Sequence, residues 1–318
     1  MVSPSERRIQ SASTPLPRSL RGIIPPMVTP LLDYDKLDAA GLERLIEHLL
    51  RGGVHGLFIL GTTGEGPSLS YRLRRELIER TCRQVNGRVP VLVGITDTAF
   101  VESAQVAGLA AQAGAAAVVL APPYYFAPSQ AELLEYVEHL VRQLPLPLFL
   151  YNQPSQTKVP LEIETVRRAA ELPGVVGLKD SSANMIYFHR LVSLFQDRPD
   201  FTLLVGPEEL LAEAVLLGGH GGVSGGANLH PRLYVQLYEA AWGRDLDRVA
   251  ALHRQVLQLS SGLYSLGGPG AGVSKGLKCA LSILGICADS MAEPFQRLDP
   301  SQRTRVEQQL RALGLLSG

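Results

Sequence analysis

The chain has 318 residues, 46% hydrophobic and 19% charged, which supplies a large core and excludes global disorder. Its 30 Lys and Arg balance 30 Asp and Glu, a formal charge of +0, without the basic excess of a nucleic-acid or membrane-surface protein. Cys82, Cys279 and Cys287 fit neither a disulfide framework nor a zinc pattern, and no apolar run reaches the ~18 residues a membrane span needs. The expectation is a cytoplasmic α/β enzyme without a metal.

Residues 1–20 are rich in Ser and Pro, with Arg7, Arg8 and Arg18 against a single acid, Glu6; they read as a flexible tail rather than a transit peptide. From residue 22 onward, short apolar runs alternate with amphipathic ones. Strands are predicted at 23–28, 56–60, 89–94, 116–120, 147–151, 175–178, 202–205 and 221–224. Each is bounded by Gly or Pro and lacks strict alternation, the pattern of parallel strands buried on both faces. Helices are predicted between them at 38–51, 70–86, 102–113, 129–143, 161–171, 183–196 and 208–217, with Ser70 and Ser129 as N-caps. Further helices at 231–242, 245–260, 274–284 and 301–313 follow without another strand, with a Gly-rich loop at 262–272. Eight units of about 25–30 residues indicate a (β/α)8 TIM barrel over 21–242. Residues 243–318 would form a C-terminal helical extension. A doubly wound sheet is the competing architecture, but no G-x-G-x-x-G follows the first strand.

In such a barrel the reactive groups gather at the C-terminal ends of the strands. The second strand ends in Gly61-Thr62-Thr63-Gly64-Glu65-Gly66, a loop able to offer hydroxyls and backbone N–H groups to an anion. The fourth ends in Tyr124-Tyr125 and the fifth in Tyr151-Asn152-Gln153-Pro154, so phenols stand at two of the eight ends. The sixth runs straight into Lys179-Asp180. A lysine there is either an ion-pair partner at the rim or, held out of water as a neutral amine, a nucleophile that forms a Schiff base with a ketone. The neighbouring tyrosines favour the nucleophile. The seven histidines show no paired ligand spacing near a carboxylate, and no metal site is expected.

Together these residues resemble the dihydrodipicolinate synthase / N-acetylneuraminate lyase superfamily of class I pyruvate-dependent aldolases, over about residues 20 to 315. Five motifs carry the resemblance: Gly61-Thr62-Thr63-Gly64-Glu65, Pro123-Tyr124-Tyr125, Tyr151-Asn152-x-Pro154, Gly177-Leu178-Lys179-Asp180 and Gly221-Gly222-Val223-Ser224. The stretch Lys278-Cys279-Ala280 with Gly285 matches the family's helical tail. The resemblance implies that Lys179 forms an imine with C2 of pyruvate or another 2-oxo acid and that Tyr151 shuttles the proton. It implies that Thr62 and Thr63, with Gly61, bind the C1 carboxylate, and that Thr62 links Tyr151 to a Tyr125 reaching in from another subunit. It implies no cofactor beyond the covalent imine, a small-molecule 2-oxo acid and an aldehyde as partners, and a homo-oligomer built as a dimer of dimers. Gln156 and Ser224 are further candidate substrate contacts.

Two positions depart from the lysine-biosynthetic synthases of the family. Neutral Gln156 stands where they carry an arginine for the carboxylate of the aldehyde, and a glutamine cannot form that bidentate, charged clamp. Asp180 follows the lysine where they tend to have Glu. The leading expectation is an aldolase that cleaves or forms a 4-hydroxy-2-oxo acid of the sugar-acid type. The alternatives are 4-hydroxy-tetrahydrodipicolinate synthase, using pyruvate and aspartate semialdehyde, and a sugar-acid dehydratase; more remote is a non-catalytic oxo-acid-binding barrel.

Overall fold

The computed structural model describes Leu16, residues 19–268 and residues 270–316. The tail predicted at 1–20 thus lies outside the described residues except for Leu16, Ser19 and Leu20. β1 (Gly22–Ile23) is followed by an antiparallel hairpin, β2 (Leu31–Asp33) and β3 (Lys36–Leu37), and by α1 (Ala39–Arg51). Strand and helix then alternate through β4 (Leu57–Ile59), α2 (Tyr71–Val85), β5 (Val91–Gly94), α3 (Phe100–Ala113), β6 (Ala117–Leu120) and α4 (Gln130–Val141). β7 (Leu148–Asn152) leads into a one-turn helix, α5 (Pro154–Thr157), and α6 (Ile163–Ala169). β8 (Val175–Asp180) leads into α7 (Met185–Leu194), and β9 (Thr202–Val205) into α8 (Leu211–Leu216). After β10 (Gly221–Gly222) come α9 (Pro231–Trp242), α10 (Leu246–Leu263), α11 (Gly272–Ile283) and α12 (Pro300–Ala312).

β1 and β4 to β10 form one parallel sheet in the order β1-β10-β9-β8-β7-β6-β5-β4. A bridge between Pro26 and Phe58 joins its two edges, with Met27 N–H donating to Phe58 O at 2.8 Å and Phe58 N–H to Pro25 O at 3.0 Å. The sheet is therefore the closed (β/α)8 barrel expected from the sequence. Two apolar clusters show why the strands read as continuous hydrophobic runs. Ile24, Phe58, Leu92, Ala117, Val119, Phe149, Tyr151 and Leu204 fill the barrel interior. The residues alternating with them, among them Leu57, Ile59, Val91, Val93, Val118, Leu148, Leu150 and Leu203, face the helix layer. The caps act as predicted: Ser70 accepts from Leu73 N–H, and Ser129 forms a capping box with Glu132, each worth about 1 kcal/mol.

The differences from the sequence reading are local. β1 pairs over two residues rather than six, because Pro25 and Pro26 have no N–H to give a ladder. The helix predicted at 208–217 begins as a 3-10 turn, Glu208–Leu210, before α8. The hairpin β2–β3 and the short helix α5 were not foreseen, and α5 carries Gln156. All three cysteines are free and buried. Among the described residues no helix is long and apolar enough to cross a membrane, and no group of three His, Cys, Asp or Glu is placed to hold a metal.

Candidate active site

The register of β7 against β8 pairs Tyr151 with Lys179 and Asn152 with Asp180 at the ends of the two strands. Pleat alternation turns Tyr151 inward, where its ring packs edge-on to Phe58 at 6.4 Å between centroids. Lys179 Nζ lies 3.8 Å from the centroid of the Tyr151 ring and 5.2 Å from that of Phe58, and the residue is buried. The rim ion-pair alternative for Lys179 is not what the site contains. Its neighbour Asp180 instead accepts from Asn152 Nδ2 at 2.8 Å and Ser182 Oγ at 3.0 Å, and no carboxylate pairs with Lys179 among the described residues. Burial, the largest influence, pushes the Asp180 carboxyl above its ordinary range against those hydrogen bonds.

Tyr151 is buried. Burial would raise its phenol, but the charge of Lys179 and hydrogen bonds with Lys179, Thr62 and Ser181 together hold it below its ordinary value of 10.0. The Thr62 hydroxyl is 3.2 Å from the Tyr151 hydroxyl, either one able to donate. The pair of groups the sequence placed on separate strand ends is thus one hydrogen-bonded unit.

The loop after β4 turns sharply. Leu60 and Glu65 both have left-handed φ, 59° and 57°, a conformation that costs a non-glycine residue about 1–3 kcal/mol and is kept where the surroundings enforce it. A Cβ on Gly66 or Gly94 would sit 2.2 or 2.3 Å from Leu60 O, so the close approach requires glycine at both. Within the loop Gly66 N–H donates to Gly61 O and Glu65 N–H to Thr62 O. Among the described residues the backbone N–H groups of Thr62 and Thr63 have no protein acceptor. Two unsatisfied donors beside two hydroxyls suit a carboxylate.

The barrel mouth opens into two lobes of about 270 and about 340 Å³, which share Thr62, Tyr151, Gln153, Gln156 and Gly270. The first is mostly apolar, with Phe58, Leu60, Val119, Tyr124 and Phe295, and also has Gly61 in its wall. The second holds Lys179, Thr63, Ser181, Glu208 and Glu209. Gln156 lines both. Ser224 does not reach the cavity: Val223 and Gly225 line the second lobe, while the Ser224 hydroxyl is buried without a partner. Tyr125 lines neither lobe, is 80% exposed, and has its ring against Phe126. Gln153, Ser181, Glu208 and Glu209 were missed as site residues, although each follows a barrel strand, where the strand-end rule would have found them. Gln153 Oε1 is buried and unpartnered, a free acceptor at the junction of the lobes.

A closed (β/α)8 barrel with a buried lysine against a tyrosine at its mouth defines a class, the lysine-dependent lyases of the aldolase type. The chain belongs to the Dihydrodipicolinate synthetase family, whose model matches residues 19–313. It is 33% identical over 299 residues to the 4-hydroxy-tetrahydrodipicolinate synthase of Methanopyrus kandleri, covering 93% of this chain and 97% of that protein. It is 34% identical over 297 residues to the synthase of the same name from Thiobacillus denitrificans, covering 93% and 98%. A dihydrodipicolinate synthase structure from Bacteroides thetaiotaomicron superimposes with a TM-score of 0.90 at 58% identity, over 92% of this chain and 98% of that one. YagE, a family member from E. coli K12 in complex with pyruvate, superimposes with a TM-score of 0.88 at 31% identity, over 93% and 99%.

Proposed function

We propose that the protein is a Schiff-base-forming aldolase that cleaves, or in reverse forms, a 4-hydroxy-2-oxo acid to or from pyruvate and a neutral, hydroxylated aldehyde. The amine of Lys179 adds to the C2 ketone, and loss of water leaves an iminium on C2. The unpaired N–H groups and hydroxyls of Thr62 and Thr63 hold the C1 carboxylate. Tyr151 takes the proton of the 4-hydroxyl as the C3–C4 bond breaks; the bonding electrons pass into the iminium, giving an enamine and the free aldehyde. Protonation of C3 and hydrolysis return pyruvate and the amine. A phenol held below its ordinary pKa is suited to carry that proton near neutrality. This sequence uses neither a metal nor an organic cofactor.

The observation that carries the choice of aldehyde is the charge of the cavity wall. Among the described residues lining the two lobes Lys179 is the one cation, while Glu209, Gln153, Gln156 and Ser181 offer an acid and neutral polar groups; Glu208 also lines the second lobe, but both its oxygens are taken by Gly226, Tyr234 and Tyr264. Such a wall accepts hydroxyls and repels a second carboxylate. Lys158, which could have supplied a cation from another angle, donates to Ser155 O at 2.7 Å and lines neither lobe. The second reading, condensation of pyruvate with aspartate semialdehyde, is favoured by the names of the curated relatives.

Intact-mass spectrometry after borohydride reduction with pyruvate tests the chemistry. The wild type is expected to gain one reduced-pyruvate adduct and Lys179→Ala none. Absence of the adduct in the wild type overturns the reading. Turnover of aspartate semialdehyde above that of every neutral aldehyde supplied would replace the proposed substrate by the second reading.

A further inference from the structure

The loop that would hold the substrate carboxylate is tied to the far end of the chain by side chains with no role in the chemistry above. Ser274, in the first turn of α11, donates its hydroxyl to Thr63 O at 3.1 Å. One turn later on the same face, Lys278 Nζ meets Glu65 Oε1 at 2.6 Å. Lys278 is 0% exposed, and the second oxygen of Glu65 accepts Ala292 N–H at 2.7 Å in the segment after α11. On the other side Thr29 Oγ1 donates to Gly64 O at 2.6 Å.

Every loop carbonyl from Gly61 to Gly64 is therefore occupied, the first two within the loop and the next two by Ser274 and Thr29. Among the described residues the N–H groups of Thr62 and Thr63 are left over, as are those of Gly61 and Gly64 on either side. The carboxylate that fixes the left-handed Glu65 is itself held by a fully buried ammonium, 213 residues away in sequence. A buried pair of opposite charges is costly to desolvate and strongly penalised if one partner is removed. Holding the loop in a single conformation is a role that accounts for such a pair at this place.

We propose that α11 positions the carboxylate-binding loop: Ser274 and Lys278 hold Thr63 and Glu65 so that the free N–H groups and hydroxyls of Thr62 and Thr63 meet the 2-oxo acid. The C-terminal helices are then part of the machinery for donor binding, although Ser274 and Lys278 are positioning residues rather than catalytic ones. This rests on the function proposed above only in its naming of the oxo acid.

Ser274→Ala removes one anchor with little change of volume. Its half-saturation for pyruvate in borohydride trapping is expected to rise by about tenfold, the worth of roughly one hydrogen bond, with the maximal adduct unchanged. Lys278→Met raises it further, Lys278→Arg partly restores it, and the uncharged pair Glu65→Gln/Lys278→Met, which leaves no orphan charge, still shows the increase. Amide hydrogen exchange supplies a readout without substrate: peptides covering 61–66 exchange faster in Ser274→Ala while those of β7 and β8 do not change. If exchange and half-saturation both match the wild type, the anchoring is overturned and the lysine chemistry stands. Faster exchange at 61–66 in a protein whose wild type forms no imine supports the anchoring and overturns the oxo-acid reading instead.

Discussion

Glu208 sits at the wall of the second lobe, yet the residue is buried. It accepts Gly226 N–H at 2.7 Å on one oxygen, and the hydroxyls of Tyr234 and Tyr264 at 2.5 and 2.8 Å on the other. Burial is the largest influence and pushes it from 4.5 up to about 7, the three donors holding it down only in part. A carboxyl whose pKa is higher in the folded state favours folding when protonated. Its contribution is full below about pH 4.5 and is lost as the pH rises through about 7. At 1.36 kcal/mol per unit the loss is on the order of 3 kcal/mol. Glu208→Gln can place its amide oxygen on Gly226 N–H and donate to both phenol oxygens, so its stability should be flatter across this window. Denaturant midpoints of both proteins between pH 5 and pH 8 check this, and parallel curves would show that the carboxyl does not titrate there. Residues of this kind were illegible in the sequence, since the burial of Glu208 depends on Tyr234 in α9 and on Tyr264 just after α10. Lys179, Tyr151 and Thr62 were legible because each ends a barrel strand, and strand ends converge whatever the helices do.

At the scale of elements, what the sequence showed well were the buried strands and the amphipathic helices, whose patterns repeat over many residues. Short, locally determined pieces were not readable in that way. The hairpin β2–β3 has three residues on one side and two on the other, too few for alternation to register. α5 is a four-residue turn started by Pro154. Its position matters, because it sets Gln156 at the junction of both lobes. A guanidinium there would bring a second cation to a lining that has Lys179 alone. Gln156→Arg should raise kcat/KM for aspartate semialdehyde by about tenfold or more, the worth of a charge-assisted hydrogen bond, and lower it for neutral hydroxylated aldehydes. Steady-state assays with both aldehydes decide it. No gain with the semialdehyde would mean that the charge at this turn does not select the acceptor.

At the scale of the whole molecule, the hydrogen-bonded relay has a beginning without an end. Thr62 reaches Tyr151, but Tyr125 stands 80% exposed with Phe126 at 82% beside it. Pro123, Ala127 and Pro128 extend the same apolar surface, and two large aromatic rings projecting into water are what an unpaired interface presents. We propose that Tyr125 completes the site of a second copy of the chain, in an isologous pair where each subunit lends its phenol to the other. Mixing two inactive variants tests this directly. In a mixed dimer of Lys179→Ala and Tyr125→Phe, the barrel of the second variant keeps its lysine and receives an intact Tyr125 from the first. Co-refolding the two in equal amounts should restore activity at about a quarter of the sites, since half of the dimers are mixed and each carries one complete site. Each variant alone should stay inactive or nearly so. If Tyr125 served its own barrel, every site in the mixture would lack one group and no activity would return. Recovery that scales with the mixed fraction would fix the catalytic unit as two chains rather than one.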